Sequence, residues 1–100
     1  MPLGQFEEET LKELARKYVW WKSPDEALRS PQRIIAQVMN VGAYDDVQML
    51  ADRLGDGLLR ETLDHAEAGQ FDKRSWTYWH YRLGLAELGE VPPLPSRTLS

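Results

Sequence analysis

Apolar residues along this chain recur at spacings of three and four, which places them on one face of an α-helix. The first periodic set is Leu11, Leu14, Ala15 and Tyr18, with Trp21 or Lys22 completing the turn. Thr10 and Glu13 fit a capping box at the start of this set. The acidic run 7–9 would then lie at the positive end of the helix dipole, as a solvated helix start.

Two Ser-Pro pairs predict the next helix starts. Ser23 and Ser30 can act as caps, and the proline after each one presets the backbone of a first helical turn. Their spacing predicts a short helical turn over 24–29 and a longer helix from Pro31 to about Val41. The apolar stripe of the longer helix is Ile34, Ile35, Val38 and Met39. Gly42 should end it, because glycine tolerates the left-handed backbone of helix ends.

Three further segments have helical periodicity. They run from Tyr44 to Leu54, from Leu58 toward Gly69, and through the aromatic stretch 74–85, and Gly55-Asp56-Gly57 separates the first two. No window alternates apolar and polar residues as a half-buried strand does. We therefore predict an all-α fold, a compact bundle of about five main helices plus one short helix, with short connections.

The C-terminal segment has a different composition. Prolines at 92, 93 and 95 remove backbone donors and restrict the residues before them, so an extended, polyproline-like form is expected. A chain of 100 residues supports one hydrophobic core. The predicted organisation is a single α-helical domain over 1–90 and an extended Pro-rich tail over 91–100, which either packs a leucine or two on the body or docks on a partner.

Composition narrows the function classes. The net charge is −4 and the pI is near 5.1, which disfavours nucleic acid as a partner. The chain has no cysteine, and its first 20 residues lack the basic and apolar regions of a signal peptide. No apolar run is long enough to cross a bilayer. We expect a soluble, cytoplasmic protein without a membrane partner.

Candidate chemistry is sparse. His65 and His80 are the only histidines, and with no cysteine they are too few for a metal site. Most serines lie at cap or terminal positions, and no glycine-rich phosphate loop is present. We therefore expect no catalytic residues, no cofactor and no enzyme activity. A small enzyme or ligand carrier is a third, weaker hypothesis, and it would require a buried pocket beside His80.

A DNA-binding regulator with a degenerate helix-turn-helix around 47–67 is the main alternative. Ala51 and Gly55 have the separation of the packed alanine and the turn glycine of that motif. Glu61, however, stands where the second helix should present an apolar residue. Arg60 is surrounded by Glu61, Asp64 and Glu67, which would repel phosphates.

The aromatic stretch 74–85 is the most distinctive part of the sequence. As a helix capped by Ser75 or Asp72, it predicts a core face made of Trp76, Trp79, His80 and Leu83. A flanking face would hold Tyr78, Tyr81, Arg82 and Leu85. Because tyrosine and arginine are prominent in protein interfaces, this flanking face is a candidate partner-binding surface.

Five segments together resemble a family of small bacterial antitoxins that partner AbiEii-type nucleotidyltransferase toxins. They read RIIAQVMNVG, VQMLADRLG, LLRETL, RSWTYWHYRLGL and VPPLP, and the similarity covers about Trp20 to Pro95. The stretch 44–47 lacks the tryptophan that the family has near that helix start. The resemblance implies a cytoplasmic protein that neutralises a toxin by direct binding and has no catalytic residues.

These considerations give one functional prediction. We expect a protein partner, such as a toxin, and leave a homodimer open. The predicted partner-binding residues are Tyr78, Tyr81, Arg82, Pro92, Pro93 and Leu94.

Overall fold

The computed structural model describes residues 4–96, and within this range all regular structure is helical. The helices are α1 (Gln5–Tyr18), α2 (Pro24–Ala27), α3 (Pro31–Val41), α4 (Tyr44–Leu54), α5 (Asp56–Asp64) and α6 (Lys73–Arg82). The prediction of an all-α fold with five main helices and one short helix is confirmed for these residues. None of these helices combines the length and the apolar character that crossing a bilayer requires.

Helix α3 is the centre of the fold, because it contacts all five other helices. Its predicted stripe is buried, with Ile34 and Val38 at 1% and 0% exposure. The residues packed around it come from every side of the chain. They include Leu11, Leu14, Leu50, Leu59, Leu63, Phe71, Trp76, Trp79 and Leu83.

Helix α1 begins earlier than the sequence suggested. Its N-cap is Gly4, and Glu7 and Glu8 lie in the first turn, as expected for carboxylates at the positive end of the helix dipole. The prediction of a capping box that begins at Thr10 was wrong. Thr10 lies within α1 and is buried. Its hydroxyl donates a hydrogen bond to the Phe6 carbonyl at 3.1 Å, so the buried hydroxyl has a partner.

The two serines predicted as caps behave differently. The Ser23 hydroxyl accepts a hydrogen bond from the Glu26 amide at 3.2 Å, which confirms it as the cap of α2. Ser30 is also the N-cap residue of α3, as predicted, but its side chain makes no capping hydrogen bond. The bounds of α3 nevertheless match the prediction, because Pro31 presets the first turn.

Gly42 ends α3 for a different reason from the one predicted. Its backbone is extended, with φ −67° and ψ 148°, and not left-handed. A Cβ atom at this position would lie 2.4 Å from the Val38 carbonyl oxygen and 3.1 Å from a methyl group of Val47. Glycine is therefore required by the close approach of α3 and α4.

Helices α4 and α5 are joined by one residue, Gly55, with φ 84° and ψ 159°. Only Gly55 interrupts the helices, because α5 begins at Asp56 and includes Gly57, so the predicted three-residue break was wrong. Helix α5 also ends at Asp64, several residues before Gly69. The conformation of Gly55 is essentially restricted to glycine.

The two glycines provide a matched test of this junction. We expect Gly55→Ala to destabilise the protein by about 1–3 kcal/mol, because alanine is strained at this φ and ψ even though the space is open. Gly57→Ala should instead gain about 0.5 kcal/mol, because it reduces the entropy of the unfolded chain. Urea unfolding of both variants measures the difference. Equal effects would contradict the role of Gly55.

A polar cluster fastens α1 to the start of α4. The Asp46 carboxylate accepts hydrogen bonds from the Tyr18 hydroxyl at 2.5 Å and from the Lys17 ammonium at 2.7 Å. The Tyr18 oxygen in turn accepts from the Ala43 amide at 2.9 Å. Hydrogen bonds from Lys17 and Tyr18 lower the pKa of Asp46. Burial, together with the bond to Asp46, raises the pKa of Tyr18.

The direction of these pKa shifts predicts a dependence of stability on pH. The folded-state pKa of Asp46 lies below its ordinary value of 3.8, so its stabilisation is complete above that value and is lost as pH falls through the lower one. Asp46→Asn should therefore flatten the acid side of the stability curve. Asp45→Asn, a change at the exposed neighbouring residue, is the control. Denaturant midpoints measured below pH 5 test this prediction. Parallel pH dependences of the midpoint for wild type and Asp46→Asn would contradict it.

Candidate protein-binding surface

Helix α6 starts on a cap that also binds the end of α3. The Asp72 carboxylate accepts from the Ser75 amide at 2.8 Å, so Asp72 and not Ser75 is the N-cap. This arrangement frees the Ser75 hydroxyl, which donates to the Asn40 carbonyl at 3.0 Å. The Asp72 amide donates to the Asn40 side chain at 3.0 Å. The register of α6 is thus set by contacts with α3.

The inner face of α6 is the predicted core face. Trp76, Trp79, His80 and Leu83 are all buried. The indole of Trp79 is 1% exposed and donates to the Met39 carbonyl at 2.8 Å. Carbonyls in the last turn of a helix lack helical partners. Trp79 therefore fills the core and also satisfies one of the terminal carbonyls of α3.

His80 borders a groove and is not enclosed in a pocket. Its Nδ1–H donates to the Trp76 carbonyl at 2.8 Å. Its Nε2 has no hydrogen-bond partner among residues 4–96, and it reaches solvent, since no fully buried side-chain nitrogen or oxygen there is unpaired. The groove, of about 560 Å³, is open and is also lined by Arg60, Asp64 and Pro92. Within the same range, no three histidine or acidic side chains cluster as metal ligands would.

The outer face of α6 is exposed, and hydrogen bonds hold its side chains in place. Tyr78 is 50% exposed and Tyr81 is 38% exposed. The Arg82 guanidinium donates to the Tyr78 hydroxyl at 3.0 Å and to the Gln48 side chain of α4 at 2.7 Å. It also lies over the Trp79 ring at 4.9 Å. The Tyr81 hydroxyl accepts from the Gly89 amide at 3.1 Å.

Helix α4 extends this surface with residues that the sequence prediction missed. Gln48 bonds Arg82, and Tyr44 lies one turn earlier on the same side of α4, where it is 73% exposed. The i, i+4 spacing was visible in the sequence, but nothing in it showed that α4 and α6 meet at Arg82. We call the five residues Tyr44, Gln48, Tyr78, Tyr81 and Arg82 the aromatic face.

The predicted residues of the Pro-rich segment lie in a second place. Pro92 and Pro93 are exposed, Leu94 is half-buried against the core, and the Trp76 indole donates to the Pro92 carbonyl at 2.8 Å. No hydrogen bond within residues 4–96 joins this segment to Tyr78 or Arg82. The predicted set therefore divides into two groups, and positions 97–100 of the predicted tail lie outside the described residues.

The exposed side of α5 is acidic. Asp56, Glu61 and Asp64 are exposed, and Arg60 donates two hydrogen bonds, at 3.2 and 3.1 Å, to the Leu83 carbonyl at the end of α6. The guanidinium of Arg60 is therefore engaged in holding the fold together. A helix with this exposed surface is poorly suited to contact phosphates.

Comparisons with protein-family models, with curated proteins and with solved structures find no match to this chain. The function is therefore proposed from the residues, their geometry and the resemblance of the five sequence segments.

The double role of Trp79 gives a testable prediction. Trp79→Phe should destabilise the protein by about 2–4 kcal/mol, because it removes buried surface and leaves the Met39 carbonyl without its donor. Trp20→Phe, at a position that is 74% exposed, is the matched control and should change stability by less than about 0.5 kcal/mol. Chemical unfolding followed by circular dichroism distinguishes them. A loss for Trp79→Phe no larger than that of the control would contradict the assignment.

Proposed function

We propose that this chain is a small cytoplasmic protein-binding module that acts as an antitoxin-like protein, neutralising a nucleotidyltransferase-type toxin by direct binding. The observation that carries the proposal is the exposure of Tyr78 and Tyr81 beside an Arg82 that is already held in place. The aromatic face is the contact surface in this proposal. The exposed Pro92 and Pro93 provide a second, separate contact.

The chemistry of the aromatic face suits a protein partner. Tyrosine and arginine contribute much of the binding energy in protein interfaces, because they bury large areas and form hydrogen bonds. Arg82 is held by Gln48 and Tyr78, so less side-chain entropy would be lost on binding. The acidic exposed side of α5 favours protein over nucleic acid.

The toxin class in the proposal is supported by the family resemblance. The resembling segments coincide largely with α3, α4, α5 and α6. Their shared apolar positions are mostly core residues, such as Ile34, Leu50 and Leu63. The resemblance therefore concerns the scaffold, whereas the exposed side chains on it would determine which partner is bound.

Purification of the tagged full chain from its native host, under mild salt, tests the proposal. We expect a stoichiometric protein partner whose toxicity in cells is relieved by co-expression of this chain. The triple variant Tyr78→Ala, Tyr81→Ala and Arg82→Ala should bind at least about 100-fold more weakly, since each interface hot spot contributes about 1–2 kcal/mol or more.

The matched control combines Phe6→Ala with Arg16→Ala, which removes an exposed aromatic ring and an exposed cation from α1. This variant should retain the partner. Recovery of the chain alone, or full binding by the triple variant, would refute the proposal.

The second candidate function is a DNA-binding regulator with its degenerate helix-turn-helix around 47–67. The succession of α4, Gly55 and α5 favours it, because two helices follow one another with a single glycine between them. The acidic exposed side of α5 weighs against it. Salt-sensitive binding of the chain alone to the DNA upstream of its own gene would support this candidate. No binding to that DNA at low salt would eliminate it.

A further inference from the structure

Two adjacent tryptophans are exposed in the connection between α1 and α2. Trp20 and Trp21 are 74% and 56% exposed, and their rings meet edge to face with centroids 5.7 Å apart. Large rings in this state leave much apolar area in water, and exposed apolar patches commonly mark interaction sites. Helix α6 does not contact α1 or α2, so this pair lies apart from Tyr78, Tyr81 and Arg82, the part of the aromatic face that α6 provides.

Trp21 borders a groove of about 350 Å³ between the α1–α2 connection, α3 and the connection after α5. Buried apolar residues form its floor. They are Val19, Ala27, Ile34 and Ala36. Gln37 also lines it and provides an amide group for hydrogen bonds, whereas the amide of Gln70, another lining residue, is engaged with Gln32. We call this feature, together with Trp20, the tryptophan groove.

The charged side chains that line the tryptophan groove carry a net positive charge in a chain that is acidic overall. They are Lys22, Arg33 and Glu67. Their net charge is +1, against −4 for the whole chain. Arg33 faces Glu67 at 4.0 Å, with both side chains 61% exposed. Such an exposed ion pair is weak and can be exchanged for another carboxylate.

We propose that the tryptophan groove binds an acidic peptide segment of a partner protein. An apolar side chain of the peptide packs on the groove floor beside Trp21, and its carboxylates face Lys22 and Arg33. Charge complementarity selects acidic sequences and speeds association. This surface is additional to the aromatic face and does not depend on the function proposed for that face.

Other occupants fit the geometry less well. In a closed dimer the same patch meets itself, and the net positive charges of the two copies would repel each other. A membrane surface is flat and would leave the concave floor unfilled. Single-stranded nucleic acid stacks its bases on successive rings, whereas these two rings are inclined at 86° to each other.

Selection from a phage-displayed library of random dodecapeptides tests the proposal with the full chain as bait. We expect the selected peptides to be rich in Asp and Glu around one aromatic or aliphatic residue. Their Asp→Asn and Glu→Gln counterparts should bind at least tenfold more weakly. Fluorescence anisotropy of the labelled peptides measures this, and affinity should fall as salt is raised, because exposed charges are screened.

Variants locate the binding on the chain. Trp21→Ala should weaken the selected peptides at least tenfold, and the double variant Lys22→Glu with Arg33→Glu should abolish binding. The control Tyr78→Ala with Tyr81→Ala should bind them as wild type does, which separates this surface from the aromatic face. Circular dichroism establishes that each variant is folded.

Several results would overturn the proposal. They are a failure to select any peptide, selection of neutral or basic peptides, and unchanged binding by Trp21→Ala. Tighter binding to vesicles of phosphatidylserine, or to a single-stranded oligonucleotide, than to the selected peptides would reassign the groove to a membrane or a nucleic acid. Concentration-dependent dimerisation that Trp21→Ala abolishes would reassign it to a second copy of the chain.

Discussion

The structure depends on which donors bind the backbone carbonyls at the C-terminal end of α3. The last turn of any helix leaves carbonyls without partners, and a buried one must find a donor elsewhere. Here Trp79 donates to Met39 and Ser75 donates to Asn40. These side-chain bonds and the inner face of α6 attach the aromatic helix to the central helix. The absence of a side chain at Gly42 lets α4 follow at once.

This attachment determines which side of α6 is available to a partner. With Trp79 bonded to α3, Tyr78 lies about 100° away around the helix, and Arg82 comes to rest against Gln48 of α4. The tryptophan groove lies elsewhere, on the side of α3 that meets α1 and α2. A small domain built around one central helix can thus present two chemically different surfaces, one rich in tyrosine and one that combines tryptophan with a net positive charge.

Much of the fold was predictable because the apolar periodicity agrees with the local signals that start and end helices. Pro31 and the stripe beginning at Ile34 defined α3, and the faces of α6 followed from spacing alone. The errors came where long-range contacts outweighed local signals. Thr10 resembles a cap but bonds inside α1, and Gly42 resembles a left-handed terminus but is selected by crowding against Val38 and Val47.

The candidate surface was only partly predictable, for the same physical reason. The amino-acid sequence by itself determined that Tyr78, Tyr81 and Arg82 flank the core side of their helix, because side-chain direction follows the helical period. Only the tertiary structure decided that α4 supplies Gln48 and Tyr44 beside them, and that the Pro92 carbonyl accepts a hydrogen bond from Trp76 of the core face. It also decided that Trp20 and Trp21, which follow the end of α1 at Tyr18, are exposed. Burial depends on which elements meet in space, and the sequence alone does not show this.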